Sequence, residues 1–402
     1  MGHCASVPAL TVLLLAVGCA TPAAAPPATP RTEPGRCLDG LLLMAAECAR
    51  VEALALPDRM PPAAGNRFGD DERAAYFGFL AFYDRRFSSV SDVSCASCHL
   101  PESSFADGKR VSEVIAGRPL ARNAPSLLNA ARMGPFWFWD GRADSLWSQP
   151  LFALENPEEM SSSRLQLAHA VYRSSAYRSR YEELAGPMPD LTDERRFPAA
   201  GKPGDAGYDA MAKRDKQQID RIAANVGKML EAYLRKMTAG RSKLDRYLAG
   251  ERDALGPGER AGLVTFTHRG CIDCHAGPML SDAKYHRLAA TTDRGRAAGI
   301  EILLANRFNS RGDFFDRDAG QAPPLPAAAA PEDEGAFRTP SLRNVALTAP
   351  FGHDGQFATL RDLLGSGHGA SLSETEQAQV ELFLLALNGA YPDRPWSDWP
   401  AR

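Results

Sequence analysis

Cys95-Ala96-Ser97-Cys98-His99 and Cys271-Ile272-Asp273-Cys274-His275 are two copies of one pattern, Cys-x-x-Cys-His, set in the two halves of the chain. Two thiols one helical turn apart can add to the two vinyl groups of a porphyrin as thioethers. The His that follows then donates a ring nitrogen to the iron. A redox dithiol, or half of a zinc site with a chance His behind it, competes for a single copy but not for two copies in an exported chain. The sequence therefore predicts two covalent c-type haems. Cys95, Cys98, Cys271 and Cys274 attach them, and His99 and His275 are axial ligands.

Export is read from the N-terminus. Pro8 to Val17 is mostly apolar yet too short to span a bilayer. It leads into Ala16-Val17-Gly18-Cys19, which resembles a bacterial lipoprotein cleavage box, although the segment before it carries only His3 and no Lys or Arg. Residues 1–18 read as the signal, Cys19 as the lipidated first residue, and 19–36 as a Pro/Ala-rich tether. The expected location is the periplasm, with the membrane touched only through that lipid. The remaining pair, Cys37 and Cys48, is expected to form a disulfide in an oxidising compartment. A net charge of −3 with 24% charged residues gives no basic surface for nucleic acid.

With 402 residues there is room for two proper cores. Asp70 and Asp71 can cap a helix over 72–83, whose apolar face carries Tyr76, Phe79, Leu80 and Tyr83. Residues 100–122 read as loop, and 163–184 as helix. The Gly/Pro-rich stretch 186–207 reads as the connection between lobes. Ile219, Ile222, Val226, Leu230, Tyr233 and Met237 recur at helical steps and form a core stripe. A short helix near 257–267 precedes the second haem motif. Residues 319–335 read as a surface loop, and Ser373 with Glu376 caps a last helix through Leu387. Strand signals are sparse. The expected fold is mainly α, with two cytochrome c-like lobes at 37–200 and 208–395, each around one haem.

Three stretches after the first haem motif carry a family resemblance: Arg122-Asn123-Ala124-Pro125-Ser126-Leu127-Leu128-Asn129, Phe138-Trp139-Asp140-Gly141-Arg142, and Asn156-Pro157-Glu158-Glu159-Met160. In the second half, Thr339-Pro340-Ser341-Leu342-Arg343-Asn344 and Thr348-Ala349-Pro350-Phe351-Gly352-His353-Asp354-Gly355 belong with them. Over roughly residues 66–390 the chain resembles the bacterial di-haem cytochrome c peroxidases, which include the MauG-type oxidases. The resemblance implies that the first haem reacts with hydrogen peroxide and the second passes or stores electrons. By motif position, Trp139 lies between the haems as an electron bridge. Gln149 and Glu159 match the peroxide pocket, where a carboxyl moves a proton between the peroxide oxygens and an amide orients it. Ala153 stands where a Pro is common. Asn123, with the backbone carbonyls of Thr348 and Pro350, matches a calcium site of hard oxygen donors.

Two absences direct the reading to one branch. Classical members carry a removable His ligand in the loop after the first haem motif. Here no His occurs between His99 and His169, and the matching loop is Val111-Ser112-Glu113-Val114-Ile115-Ala116-Gly117. Classical members also ligate the second haem with Met, but after His275 the only Met is Met279, too close to reach the opposite face. His368 is the expected distal ligand. It sits one residue beyond Gly367, the position that the family's spacing from His353 marks, with His353 and His286 as rivals. Arg269 occupies the position where MauG itself has a relay Trp, which leaves Trp147 and Trp137 as candidate relays. The expected function is a MauG-like di-haem peroxidase that oxidises a partner protein or reductant. The alternatives are a cytochrome c peroxidase fed by a small donor cytochrome, and a non-catalytic electron-transfer cytochrome.

Overall fold

The computed structural model describes residues 40–90, 92–288, 291–368, 370–392 and Trp396. The signal, Cys19, the tether and Cys37 lie outside the described residues. Cys48 is buried and disulfide-bonded.

Helix α1 (Ala45–Glu52) opens the described chain, and α2 (Glu72–Tyr83) begins where the Asp71 carboxylate accepts from the Arg73 backbone N–H at 2.8 Å. A carboxylate there satisfies N–H groups that the helix itself cannot. Then come α3 (Gln149–Glu155), α4 (Arg164–Arg173) and α5 (Ser175–Ala185). The sequence reads α4 and α5 as one helix. They part at Ser174, whose extended backbone and Tyr177 cap start a new helix. Next are α6 (Ala206–Asp209), α7 (Lys213–Leu234), α8 (Lys243–Leu248), α9 (Pro257–His268) and α10 (Cys271–Cys274). A two-stranded antiparallel sheet pairs β1 (Tyr285–His286) with β2 (Phe337–Arg338) around α11 (Arg296–Ala305). The chain closes with α12 (Leu360–Gly365) and α13 (Glu374–Leu385), the latter capped by Ser373 and Glu376 as expected. No described helix is long and apolar enough to cross a membrane.

Two apolar cores form. The first joins Phe77, Phe82, Phe105, Trp147, Leu165 and the apolar face of α7. The expected boundary near 208 would give α7 to the second lobe, but its Ile219, Val226, Leu230 and Tyr233 belong to the first core. The reason is that α2 needs a long apolar partner and α7 offers the strongest amphipathic stripe among the described helices. The second core joins Leu263, Phe266, Ile272, Leu280 and Phe383 with Val51 and Leu54 from the N-terminal segment. A buried Arg343–Asp245 pair at 2.8 Å also holds the Leu54 carbonyl, pinning that segment to the second core.

The cores share one frame. In each, the helix before the haem motif packs along a later helix, α2 on α7 and α9 on α13. Both crossings are closed by glycine. A methyl group on Gly78 would stand 2.0 Å from the Met229 carbonyl oxygen, and one on Gly262 would stand 2.0 Å from that of Gln379. Backbone cannot yield as a side-chain tip can, so the helices would have to separate. Gly262→Ala is therefore expected to destabilise the holoprotein by about 1–3 kcal/mol, the scale of overpacking. That loss outweighs the roughly 0.5–1 kcal/mol that Ala gains over Gly inside a helix. Urea unfolding midpoints of the two proteins check this, and a raised midpoint for the variant would count against the close crossing.

Candidate active site

At the first motif the chain makes a single tight turn, Cys95–Ser97, and the backbone N–H of His99 donates to the Cys95 carbonyl at 3.1 Å. His99 Nδ1 lies 3.0 Å from the Phe105 carbonyl oxygen, and His275 Nδ1 lies 3.0 Å from that of Leu280. Each ring thus donates through Nδ1 and keeps the Nε2 lone pair for iron. Burial pushes the His99 pKa below its ordinary value. It pushes His275 down to about 4, with His368 adding to the effect and the Leu280 carbonyl opposing it. Both imidazoles are therefore neutral, as a ligand must be. The two acceptor carbonyls belong to residues with positive φ, Phe105 at 56° and Leu280 at 47°. Bulky residues rarely adopt that region, which costs on the order of 1–2 kcal/mol per residue.

The first motif opens onto a cavity that is partly open to solvent. Cys95, Cys98 and His99 line it on one side; Gln149, Ala153, Glu159 and Met160 also border it, as do Phe82, Leu230 and Val114. Burial pushes the Cys95 thiol up to about 12 and Cys98 up to about 11. Such surroundings reject a thiolate and suit an uncharged thioether, so the donor set fits covalent haem better than zinc. Gln149 starts α3, and Glu159 follows the end of that helix, so one short helix brings the two together. The Glu159 carboxylate accepts from Asn156 Nδ2 at 2.7 Å and lies 3.9 Å from Arg142. Arg142 itself stacks on Phe138 and pairs with Asp140. Val114 is the residue that the histidine-free loop contributes to the cavity wall.

At the second motif, His286 is bound to Asp282 at 2.8 Å, and His353 stacks on Phe337 with ring centres 3.7 Å apart. His368, half-buried in the turn after α12, acts electrostatically on His275. The Cys274, Asp282 and His286 ligand atoms lie within 4.8 Å of one another. Met279 is buried one turn from His275, and its carbonyl accepts from Ser341.

Trp139 sits where the two halves meet. Its indole N–H donates to the Asn123 carbonyl at 3.0 Å, and its own carbonyl accepts from the Arg338 N–H at 2.8 Å. The Asn123 N–H donates to the His353 carbonyl at 2.9 Å, and its side-chain amide N–H group to the Lys109 carbonyl at 2.9 Å. Thr348 and Pro350 stand a few residues before His353, in the same turn system. Gly355 closes the junction: at φ 63°, a Cβ there would lie 2.1 Å from the Arg110 carbonyl oxygen. Trp147 is fully buried with its indole nitrogen unpartnered, and Trp137 donates to the Ala130 carbonyl at 3.2 Å.

The sequence reading missed two buried arginines around Tyr285. Arg296 donates to the Asp140 and Gly141 carbonyls and lies over the Tyr285 ring. Arg338 leaves Nε without an acceptor, and Tyr285 leaves its hydroxyl unpaired. Among the described residues neither guanidinium pairs with a carboxylate. Arg338 donates instead to the Met133 and Pro135 carbonyls. The only signal available was an Arg directly before the Thr-Pro-Ser-Leu stretch.

Two neutral imidazoles, each beside a half-buried Cys-x-x-Cys turn, fit a di-haem c-type cytochrome. The comparisons narrow this further. Residues 72–253 match the family described as di-haem cytochrome c peroxidase. The chain is 30% identical to "Methylamine utilization protein MauG" of Methylorubrum extorquens, over 77% of this chain and 71% of that protein. It is 28% identical to "Cytochrome c551 peroxidase" of Nitrosomonas europaea, over 79% and 81%. Among solved structures it resembles a MauG-like protein associated with microbial copper homeostasis (TM-score 0.62, 24% identity, 86% of this chain and 99% of that one). It also resembles the di-haem peroxidase BthA of Burkholderia thailandensis (TM-score 0.61, 22% identity, 87% and 98%). The chain belongs to the di-haem cytochrome c peroxidase and MauG family, and is a di-haem peroxidase with two c-type haems.

Proposed function

We propose that this enzyme is of the MauG-like branch, using hydrogen peroxide at the first haem to oxidise a partner protein or another reductant. The observation that carries the reading is Val114. The loop that holds a removable His in classical members presents an aliphatic side chain to the cavity, so it offers the first iron no ligand to remove. When bound, a c-type haem would supply an iron that exchanges electrons one at a time and can accept peroxide.

Reduction of one peroxide to two waters takes up two electrons and two protons. Glu159 accepts a proton from one peroxide oxygen and returns it to the other, which then leaves as water. Asn156 and Arg142 hold the carboxylate in place for this. Gln149 orients the peroxide. Trp139, hydrogen-bonded at its indole and its carbonyl, provides an oxidisable ring between the halves, so the second haem shares the oxidising equivalents. His275 and His368 would hold this haem, since His286 is committed to Asp282 and His353 to its stack on Phe337. Calcium at Asn123 Oδ1 and the Thr348 and Pro350 carbonyls would stiffen the same junction. The lobes at 37–200 and 208–395 each hold one haem, with α7 lent to the first. The enzyme faces the periplasm, tethered through Cys19, and the Cys37–Cys48 bond ties the tether to the second core.

A second reading is supported by the relative named cytochrome c551 peroxidase: peroxide reduction with electrons from a small cytochrome. Rapid turnover with reduced cytochrome c would favour it.

The fully oxidised protein is expected to react with peroxide in stopped-flow mixing without prior reduction. A reaction that starts only after one haem has been reduced would remove the MauG-like reading. Glu159→Gln is expected to slow the peroxide step about a hundredfold or more while both haems stay attached; an unchanged rate would take Glu159 out of the mechanism. In His368→Ala, electron paramagnetic resonance of the ferric protein is expected to lose the low-spin signal of the second haem. An unchanged signal would move that role to His353 or His286.

A further inference from the structure

The first core contains a run of aromatic rings that the chemistry above does not use. Phe82 lines the cavity beside Cys95. Its ring lies 5.2 Å from that of Tyr233, in an edge-on contact. Tyr233 is fully buried and lies 6.2 Å, centre to centre, from Trp396 of the C-terminal tail. The Tyr233 hydroxyl donates to the Trp396 backbone carbonyl at 2.9 Å, and Phe79 packs edge-on against the same indole at 5.8 Å. The indole is half-buried, at the outer end of the run. Trp147 and Trp137 do not match this arrangement: one is fully enclosed, and neither lines the cavity.

Electron transfer falls off steeply with distance, and less steeply through packed rings than through open space, so a run of rings in contact can carry an electron that none of them holds. Phenylalanine is too hard to oxidise and serves only as the bridge at the cavity wall. A phenol can hold the oxidation only if its proton leaves. The Tyr233 hydroxyl faces a carbonyl and the Tyr83 hydroxyl at 3.4 Å, neither of which is a base. Burial pushes its pKa well above the ordinary range. An indole can lose the electron first and then pass its N–H proton to water, which the half-buried Trp396 can reach.

We propose that Phe82, Tyr233 and Trp396 form an exit path from the first haem site, and that Trp396 is the surface residue at which external reductants are oxidised. In each step one electron leaves the indole towards the site and its N–H proton goes to solvent. A one-electron reductant at the C-terminal tail then returns an electron, and solvent returns the proton. Without a reductant, the carbon-centred radical adds dioxygen, and the peroxyl radical formed takes a hydrogen atom from excess hydrogen peroxide, which leaves a hydroperoxide on the indole and a hydroperoxyl radical in solution. The proposal rests on peroxide reactivity at the first haem.

The test uses the full holoprotein mixed with hydrogen peroxide in aerobic buffer without reductant, followed by peptide mass mapping. Oxygen addition is expected at Trp396, several-fold above Trp137, Trp139 and Trp147, and is expected to vanish when cyanide blocks the haems. Trp396→Phe is expected to form the oxidised enzyme at the wild-type rate and to lengthen its lifetime several-fold. If the oxidised enzyme forms but decays at the wild-type rate in the variant, or oxygen appears at Trp399 alone or despite cyanide, the path is wrong and the peroxidase reading stands. If no oxidised enzyme forms in either protein, both are overturned.

Discussion

Everything in this molecule depends on two imidazoles being held neutral and aimed. A backbone carbonyl does this in each lobe, and the carbonyl is aimed by a residue in an unfavourable backbone region, Phe105 in one case and Leu280 in the other. Both residues are fully buried in their cores. Burial of a large apolar side chain stabilises by about 1.5–3 kcal/mol, enough to offset the backbone cost. The strain that orients each ligand is thus maintained by the same core that surrounds the haem, which couples ligand geometry to packing. Loosening either core would free the carbonyl before it freed the helix frame.

The second constraint is the junction. Asn123 bonds through its backbone to His353, through its carbonyl to Trp139 and through its side chain to Lys109. A single residue therefore ties the loop after the first haem motif to both turns that face the second half. Chain exchange adds to this. Phe308 and Phe314 from the second half enter the first core, while Val51 and Leu54 from the N-terminus enter the second. Neither core is complete from one contiguous stretch, so the spacing between the two haem sites is set by covalent continuity as well as by contact.

How much of this could be read from the sequence followed from how local each signal is. Cys-x-x-Cys-His is complete within five residues, and Asp71 and Ser373 announce their helices one turn away, so these readings needed no tertiary information. Ser174 split one expected helix into two because a Ser is tolerated inside a helix and only the backbone decides whether it caps. The home of α7 was hidden because an amphipathic stripe says that a face is buried but not against what. Arg296 and Arg338 were invisible for a related reason. In sequence they are two of many charges, and only burial without a carboxylate sets them apart. Glu159 and Gln149 were found through resemblance alone, and the cavity they share with His99 is what gives the pairing physical content.

The two halves of the chain also explain why one frame serves two tasks. Trp137 pairs with Ala143 across a turn containing Asp140-Gly141, and Phe351 pairs with Phe357 across a turn containing Asp354-Gly355. Counted from these bridges, Trp139 and His353 occupy the same position. Further along, the helix that follows each turn opens on Gln149 in the first half and on Leu360 in the second, and Leu360 is buried in the second core. The polar amide at the first cavity is thus replaced by an aliphatic side chain in the second half. An amide can bind and orient a small polar oxidant, whereas a leucine offers it no hydrogen bond. A repeated scaffold, with glycine-closed helix crossings and matching proximal hydrogen bonds in both halves, differs at the residue that opens this helix. The two halves thus share the way each histidine is held and part at the side chains that surround it.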